Sequence, residues 1–177
     1  ADVAQLTNRI DGRVTAEMLQ LSGGLLQNSG LIYADNLQLQ AEQLHNSGLL
    51  QVLQQGNINA VTLLNQQGSI LSGDVLAIQS GQLSNSGGLL QGNQVQIDSL
   101  QLLNDDGHIL ALGEQGLTVN VAEQLDNLDG IIYSAGEHSL VNAAVLRNTG
   151  LISHSGTGNL QLQGGTLHNS GQIESAG

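Results

Sequence analysis

The stretch Leu26-Gln27-Asn28-Ser29-Gly30-Leu31-Ile32 returns as Leu44-His45-Asn46-Ser47-Gly48-Leu49-Leu50, and again as Leu83-Ser84-Asn85-Ser86-Gly87-Gly88-Leu89-Leu90. Each copy is Leu-x-Asn, a tight turn containing Gly, then an aliphatic residue. Working outward, the same unit appears at Leu125-Asp126-Asn127, Leu146-Arg147-Asn148 and Leu167-His168-Asn169. The series is marked by Asn8, Asn28, Asn46, Asn65, Asn85, Asn104, Asn127, Asn148 and Asn169, spaced 18 to 23 residues apart. That period belongs to solenoids, in which each repeat buries its apolar side chains only against its neighbours.

Seven residues before most of these asparagines stands an aliphatic residue: Leu21, Leu39, Ile58, Ile78, Ile97, Val141 and Leu162. Nine before stand Leu19, Leu37, Leu76, Val95 and Leu160, with Gly56 and Ser139 as exceptions. Polar residues alternate with them, as in Leu37-Gln38-Leu39-Gln40, which is the period of a half-buried strand. The copy Leu117-Thr118-Val119-Asn120-Val121 is one residue out of step, which a small bulge or a longer turn must absorb. Each repeat therefore holds two or three short strands and no helix. A leucine-rich horseshoe shares the period, but its Leu-x-x-Leu-x-Leu-x-x-Asn signature and helical half are missing. The pattern predicts an all-β fold, a parallel β-helix (β-solenoid) of about nine coils of ~20 residues. The crossover preference makes it right-handed, and stacking at one strand spacing per coil makes it ~40 Å long.

Three kinds of column follow. The Leu two before each Asn points inward. So does the aliphatic residue after the turn: Ile32, Leu50, Ile70, Leu90, Ile109, Ile132, Ile152 and Ile173. The nine asparagines form a corner ladder, since a side-chain amide both donates and accepts. Gly is expected at the corner to supply a positive φ.

Composition agrees with narrow stacked layers. The 177 residues include 24 glycines and no proline, cysteine, phenylalanine or tryptophan. Only 10% are charged, against about a quarter in ordinary domains. The formal net charge is −12, and the cations are Arg9, Arg13 and Arg147. Phosphate binding needs clustered cations, so no nucleic-acid partner is expected. Attraction to an anionic membrane surface is opposed for the same reason. No apolar run reaches the ~18 residues of a membrane span, so no membrane insertion is expected. The pattern runs into both termini without a polar or helical cap, so residues 1–177 read as a single β-helix segment of a longer repeat rod.

The Leu-x-Asn-x-Gly-x-Ile/Leu unit at this period resembles the filamentous haemagglutinin repeat of two-partner-secretion exoproteins of Gram-negative bacteria. The resemblance runs from Leu6-Thr7-Asn8 to Asn169-Ser170-Gly171-Gln172-Ile173. The first copy has an enlarged turn, Asn8-Arg9-Ile10-Asp11-Gly12. The resemblance implies a secreted, cell-surface filament exported through an outer-membrane two-partner-secretion transporter. It further implies a structural stalk serving adhesion or contact-dependent growth inhibition by toxin delivery. Family secretion and toxin domains have no counterpart among these residues. The lack of cysteine suits export through an oxidising compartment.

Few side chains invite chemistry. His45, His108, His138, His154 and His168 lack metal-ligand spacing and read as solvent-facing. Asp106 and Asp129 occupy matching slots, but two exposed carboxylates ~5 Å apart repel only mildly and need no cation. No catalytic residue, metal or cofactor is assigned. Polysaccharide-cleaving β-helices need clustered acids, whereas the acids here are dispersed and the two stacking rings, Tyr33 and Tyr133, lie about five turns apart. The remaining signal is turn length. Ala111–Gly116, Ser134–His138 and Ser153–Asn159 are longer than their counterparts in three consecutive turns. They would place Glu114, Tyr133, Glu137, His138 and His154 on one face, a candidate protein or glycan contact through which a receptor on another cell could bind.

Overall fold

The computed structural model describes residues 2–176. Among these residues fourteen strands pair in one continuous parallel sheet that winds into stacked coils. The register is the one the repeat dictates: Asn8 lies beside Asn28, Asn28 beside Asn46, and Asn148 beside Asn169.

The strands are longer than the short ones expected. Leu31–Asn46 is one strand of 16 residues, and His108–Asn127 one of 20. The coil still turns, because burial alternation slips phase within the strand. In Leu31–Asn46, Ile32 and Ala34 point in, then two half-buried residues, Asp35 and Asn36, intervene. Leu37, Leu39 and Ala41 point in, then two exposed residues, Glu42 and Gln43, intervene before Leu44 and Asn46. Two consecutive non-inward residues mark a corner, because each pleat step must otherwise reverse the side chain. Each coil thus has three walls. The first is Leu31–Ala34 or its equivalent, the second runs over 37–41, and the third over 43–46. The Asn-Gly turn is the third corner.

The inward columns form as the spacing predicts. Leu26, Leu44, Leu63, Leu83, Leu102, Leu125 and Leu146 pair in sequence along the third wall, all buried. Ile32 through Ile152 do the same along the first. Leu37 through Leu117 and Leu39 through Val141 fill the second. The two exceptions stay in their column. Gly56 leaves room between Val52 and Leu76. Ser139 is buried there, with its Oγ unpartnered. The out-of-step copy is absorbed as expected. Ser99 pairs with Val121 but Gln101 with Gln124, so the later coil bulges at Ala122–Glu123.

The terminal layer is a natural control. Leu83 is 2% exposed and Leu167, in the same column, 51%. Leu83→Ala should cost about 2–5 kcal/mol, because it opens a cavity between covered layers. Leu167→Ala should cost well under half as much, and Gln161→Ala on the outer surface close to nothing. Thermal melts of the three variants test the assignment, and equal losses would contradict it.

Candidate functional site

The Asn corner is the most completely specified part of the coil. Every step of the ladder is a hydrogen bond from the Nδ2 of one coil to the Oδ1 of the next. The distances are 2.8 Å for Asn8 to Asn28, 2.8 Å for Asn28 to Asn46, 2.7 Å for Asn46 to Asn65 and 2.8 Å for Asn65 to Asn85. They continue at 2.8 Å for Asn85 to Asn104, 2.7 Å for Asn104 to Asn127, 2.7 Å for Asn127 to Asn148 and 2.8 Å for Asn148 to Asn169. The second amide hydrogen goes to backbone carbonyls at the turn, as from Asn85 to Gly88 and His108. A buried amide satisfied on both sides is what makes the polar corner tolerable inside the rod.

The corner glycine is required for a different reason from the one expected. Positive φ among glycines is confined, among the described residues, to Gly87, Gly116 and Gly164. Gly30, Gly48, Gly68, Gly88, Gly107, Gly130, Gly150 and Gly171 instead lie against the preceding coil. A Cβ on Gly68 would meet Asn46 O at 2.5 Å, Asn46 Nδ2 at 2.6 Å and Asn65 Oδ1 at 2.7 Å. Left-handed backbone falls one position earlier, and only where the corner has four residues: Gln67 at φ 58°, Gly87 at 60°, Asp106 at 50° and Asp129 at 52°. The paired aspartates are therefore turn residues, a role Asp tolerates better than most side chains. Asp129 Oδ1 also accepts the Thr149 hydroxyl at 3.2 Å. Among the described residues, no three His, Asp or Glu side chains converge as a metal site would need.

The lengthened turns do lie side by side, at the corner between the first and second walls. Ala135 N donates to Ala111 O, Glu137 N to Glu114 O, and Ser155 N to Ser134 O, each at 2.9 Å. Glu114, Glu137 and His138 are exposed there. Tyr133 is half-buried on the adjoining first wall, its hydroxyl 2.6 Å from Ser155 Oγ. His154 is a correction to the expected face. It is 1% exposed and points into the rod. Its slot is the inward column of Ala34, Val52, Ser72, Ala111 and Ser134. There Nε2–H donates to Gly136 O at 2.7 Å, and Nδ1 lies 3.4 Å from Ser175 Oγ. Of the other histidines, His108, His138 and His168 are exposed and His45 is half-buried. Tyr33 and Tyr133 share one outward row, five coils apart.

No protein-family model, curated protein or solved structure matches this chain. The surface must be read on its own geometry, and it holds a feature the residue types did not announce. The outward residues of the second wall are mostly amides, brought into two rows by the register. Over them lie two open hollows of about 710 and 730 Å³ that share Asn59, Gln79 and Asp98. Together they make one groove along the rod. Spacing along the chain hides it, because each amide is merely the polar half of an alternating strand.

Proposed function

We propose that the chain is a stalk segment of a secreted bacterial surface exoprotein of the filamentous haemagglutinin kind, holding an adhesive or toxin-delivering part away from the cell. The observation that carries this reading is the Asn ladder. One hydrogen-bonded register held through every coil suits a part whose task is span and stiffness, since each coil fixes the next. The likeness of the Leu-x-Asn-x-Gly unit to that repeat supports export through an outer-membrane two-partner-secretion transporter. The cysteine-free composition is compatible with the same route.

The test is to express the gene encoding this chain in a Gram-negative host, with and without its partner transporter, and to label intact cells with antibody. Surface signal that needs the transporter is the expected result. Signal confined to the cytoplasm, or equal without the transporter, would refute the proposal. A second reading, receptor binding by the rod itself, is favoured by the exposed cluster of Glu114, Glu137 and His138 at one corner. It predicts that the purified chain binds target cells and that Tyr133→Ala combined with His138→Ala weakens the binding. Undiminished binding by that double variant would remove this face from consideration.

A further inference from the structure

We infer that the groove along the second wall is a binding site for a neutral, unbranched polysaccharide lying parallel to the rod axis. Its lining runs from Gln20 to Asn142 across seven coils, or ~30 Å at the spacing of parallel strands. The inference goes beyond the stalk reading and holds whether or not that reading does.

Three observations point to this ligand. The first is the hydrogen-bonding inventory. Two amides toward the ends of the groove meet neighbours: Gln20 donates to Gln38 at 3.1 Å and Asn120 to Asp98 at 3.0 Å. Between them Gln40, Asn59, Gln79 and Gln96 make no side-chain hydrogen bond to another described residue. Each free amide offers two donors and an acceptor. A sugar hydroxyl also both donates and accepts, so it can replace the water on every one of them in turn.

The second observation is the opposite bank. Val61 is 65% exposed and Leu100 52%, an unusual exposure for aliphatic residues in this chain. Both border the same groove as Asn59, Gln79 and Asp98. An amide bank facing an aliphatic bank suits a pyranose, which carries hydroxyls on its rim and C–H groups on its faces. The third is charge. On a chain of formal net charge −12, the groove lining holds, among the described residues, a single ionisable group, Asp98. Such a lining selects against polyanions and offers nothing to a polycation beyond one carboxylate. The amide rows recur coil after coil, whereas the aliphatic bank is local: Val61 and Leu100 stand two coils apart, with Gly81 between them.

The experiment titrates the intact chain separately with cellohexaose, mannohexaose and N-acetylchitohexaose. Side-chain amide NMR signals report the site, and calorimetry reports the affinity. At least one oligosaccharide should bind with a Kd of about 1 mM or tighter, shifting the amides of the second wall. Asn59→Ala combined with Gln79→Ala should weaken that binding about tenfold, with an unchanged circular dichroism spectrum. Gln161→Ala, on the same wall but outside the groove, should leave it intact, and an oligogalacturonate should bind at least about tenfold more weakly than the best neutral oligomer. Failure of all three neutral oligomers to produce saturable shifts would overturn the inference. So would full affinity in the double variant. Amide shifts that appear on raising the protein concentration without sugar, together with a doubled sedimenting mass, would assign the groove to a second copy of the chain and likewise overturn it.

Discussion

Asn85→Ala should destabilise the rod by about 3–5 kcal/mol, more than a polar-to-apolar change usually does. Asn85 is fully buried, accepts from Asn65 and donates to Asn104, Gly88 and His108. Alanine would strand the Asn65 Nδ2 hydrogen and the Asn104 Oδ1 together, each orphan costing about 1–3 kcal/mol. Because coils hold one another, the loss should also loosen the coupling between the two halves and broaden the urea transition. Asn169→Ala, at the exposed last rung, should cost under about 1 kcal/mol.

Asn85→Asp adds a sign that can be checked. The introduced carboxyl would sit in a dry corner with Asn104 Oδ1 facing it, so burial raises its folded pKa above the unfolded value of about 3.9. A raised folded pKa means that the variant keeps most stability below the unfolded value and loses it as pH rises through the folded one. The deficit relative to the native chain should therefore be larger at pH 7 than at pH 4. Urea denaturation followed by circular dichroism measures both. A mid-rod loss below about 1 kcal/mol would show that the ladder contributes no more than a surface amide.

The second large effect is expected at Gly68→Ala, about 3 kcal/mol or more. The added methyl would meet the Asn46 carbonyl and both ladder amides, none of which can retreat without breaking a neighbouring rung. Gly87→Ala is the discriminating partner. Gly87 has φ 60°, but the nearest atom to its Cβ would be Gln67 Cγ at 3.5 Å, so only backbone strain of about 1–2 kcal/mol applies. If the corner glycines serve close approach, Gly68→Ala is the worse variant. The reverse ranking would restore positive φ as their purpose. Equilibrium unfolding of the two proteins decides it.

Much of this architecture is legible in the chain because a solenoid writes one instruction repeatedly. The Leu26–Leu146 column and the asparagine rungs follow from spacing alone, and so does the need to absorb one extra residue before Asn127, which the structure places as a bulge at Ala122–Glu123. Three things were not legible, each for a physical reason. The purpose of Gly68 depends on the distance to a coil 22 residues earlier, which spacing does not report. His154 reads as a surface residue by type, yet its position two after Ile152 is an inward slot, and Gly136 and Ser175 satisfy its ring. The groove beside Asn59 and Gln79 exists only because pairing register aligns outward amides that are far apart in sequence. Of the candidate contact face, the corner with Glu114, Glu137 and His138 assembles, Tyr133 borders it, and His154 is absent from it.

All eight rungs point the same way, each Nδ2 toward the later coil. Amide dipoles set head to tail add and polarise one another, so the file gives the molecule an electrical direction, positive toward Asn169 and negative toward Asn8. Two such rods meeting mirror-fashion at like ends would oppose their dipoles, while end-to-end apposition in a common sense would prolong the file. Rungs in the middle are polarised from both sides and outer ones from one only, so loss of structure should begin at the extremities and travel inward.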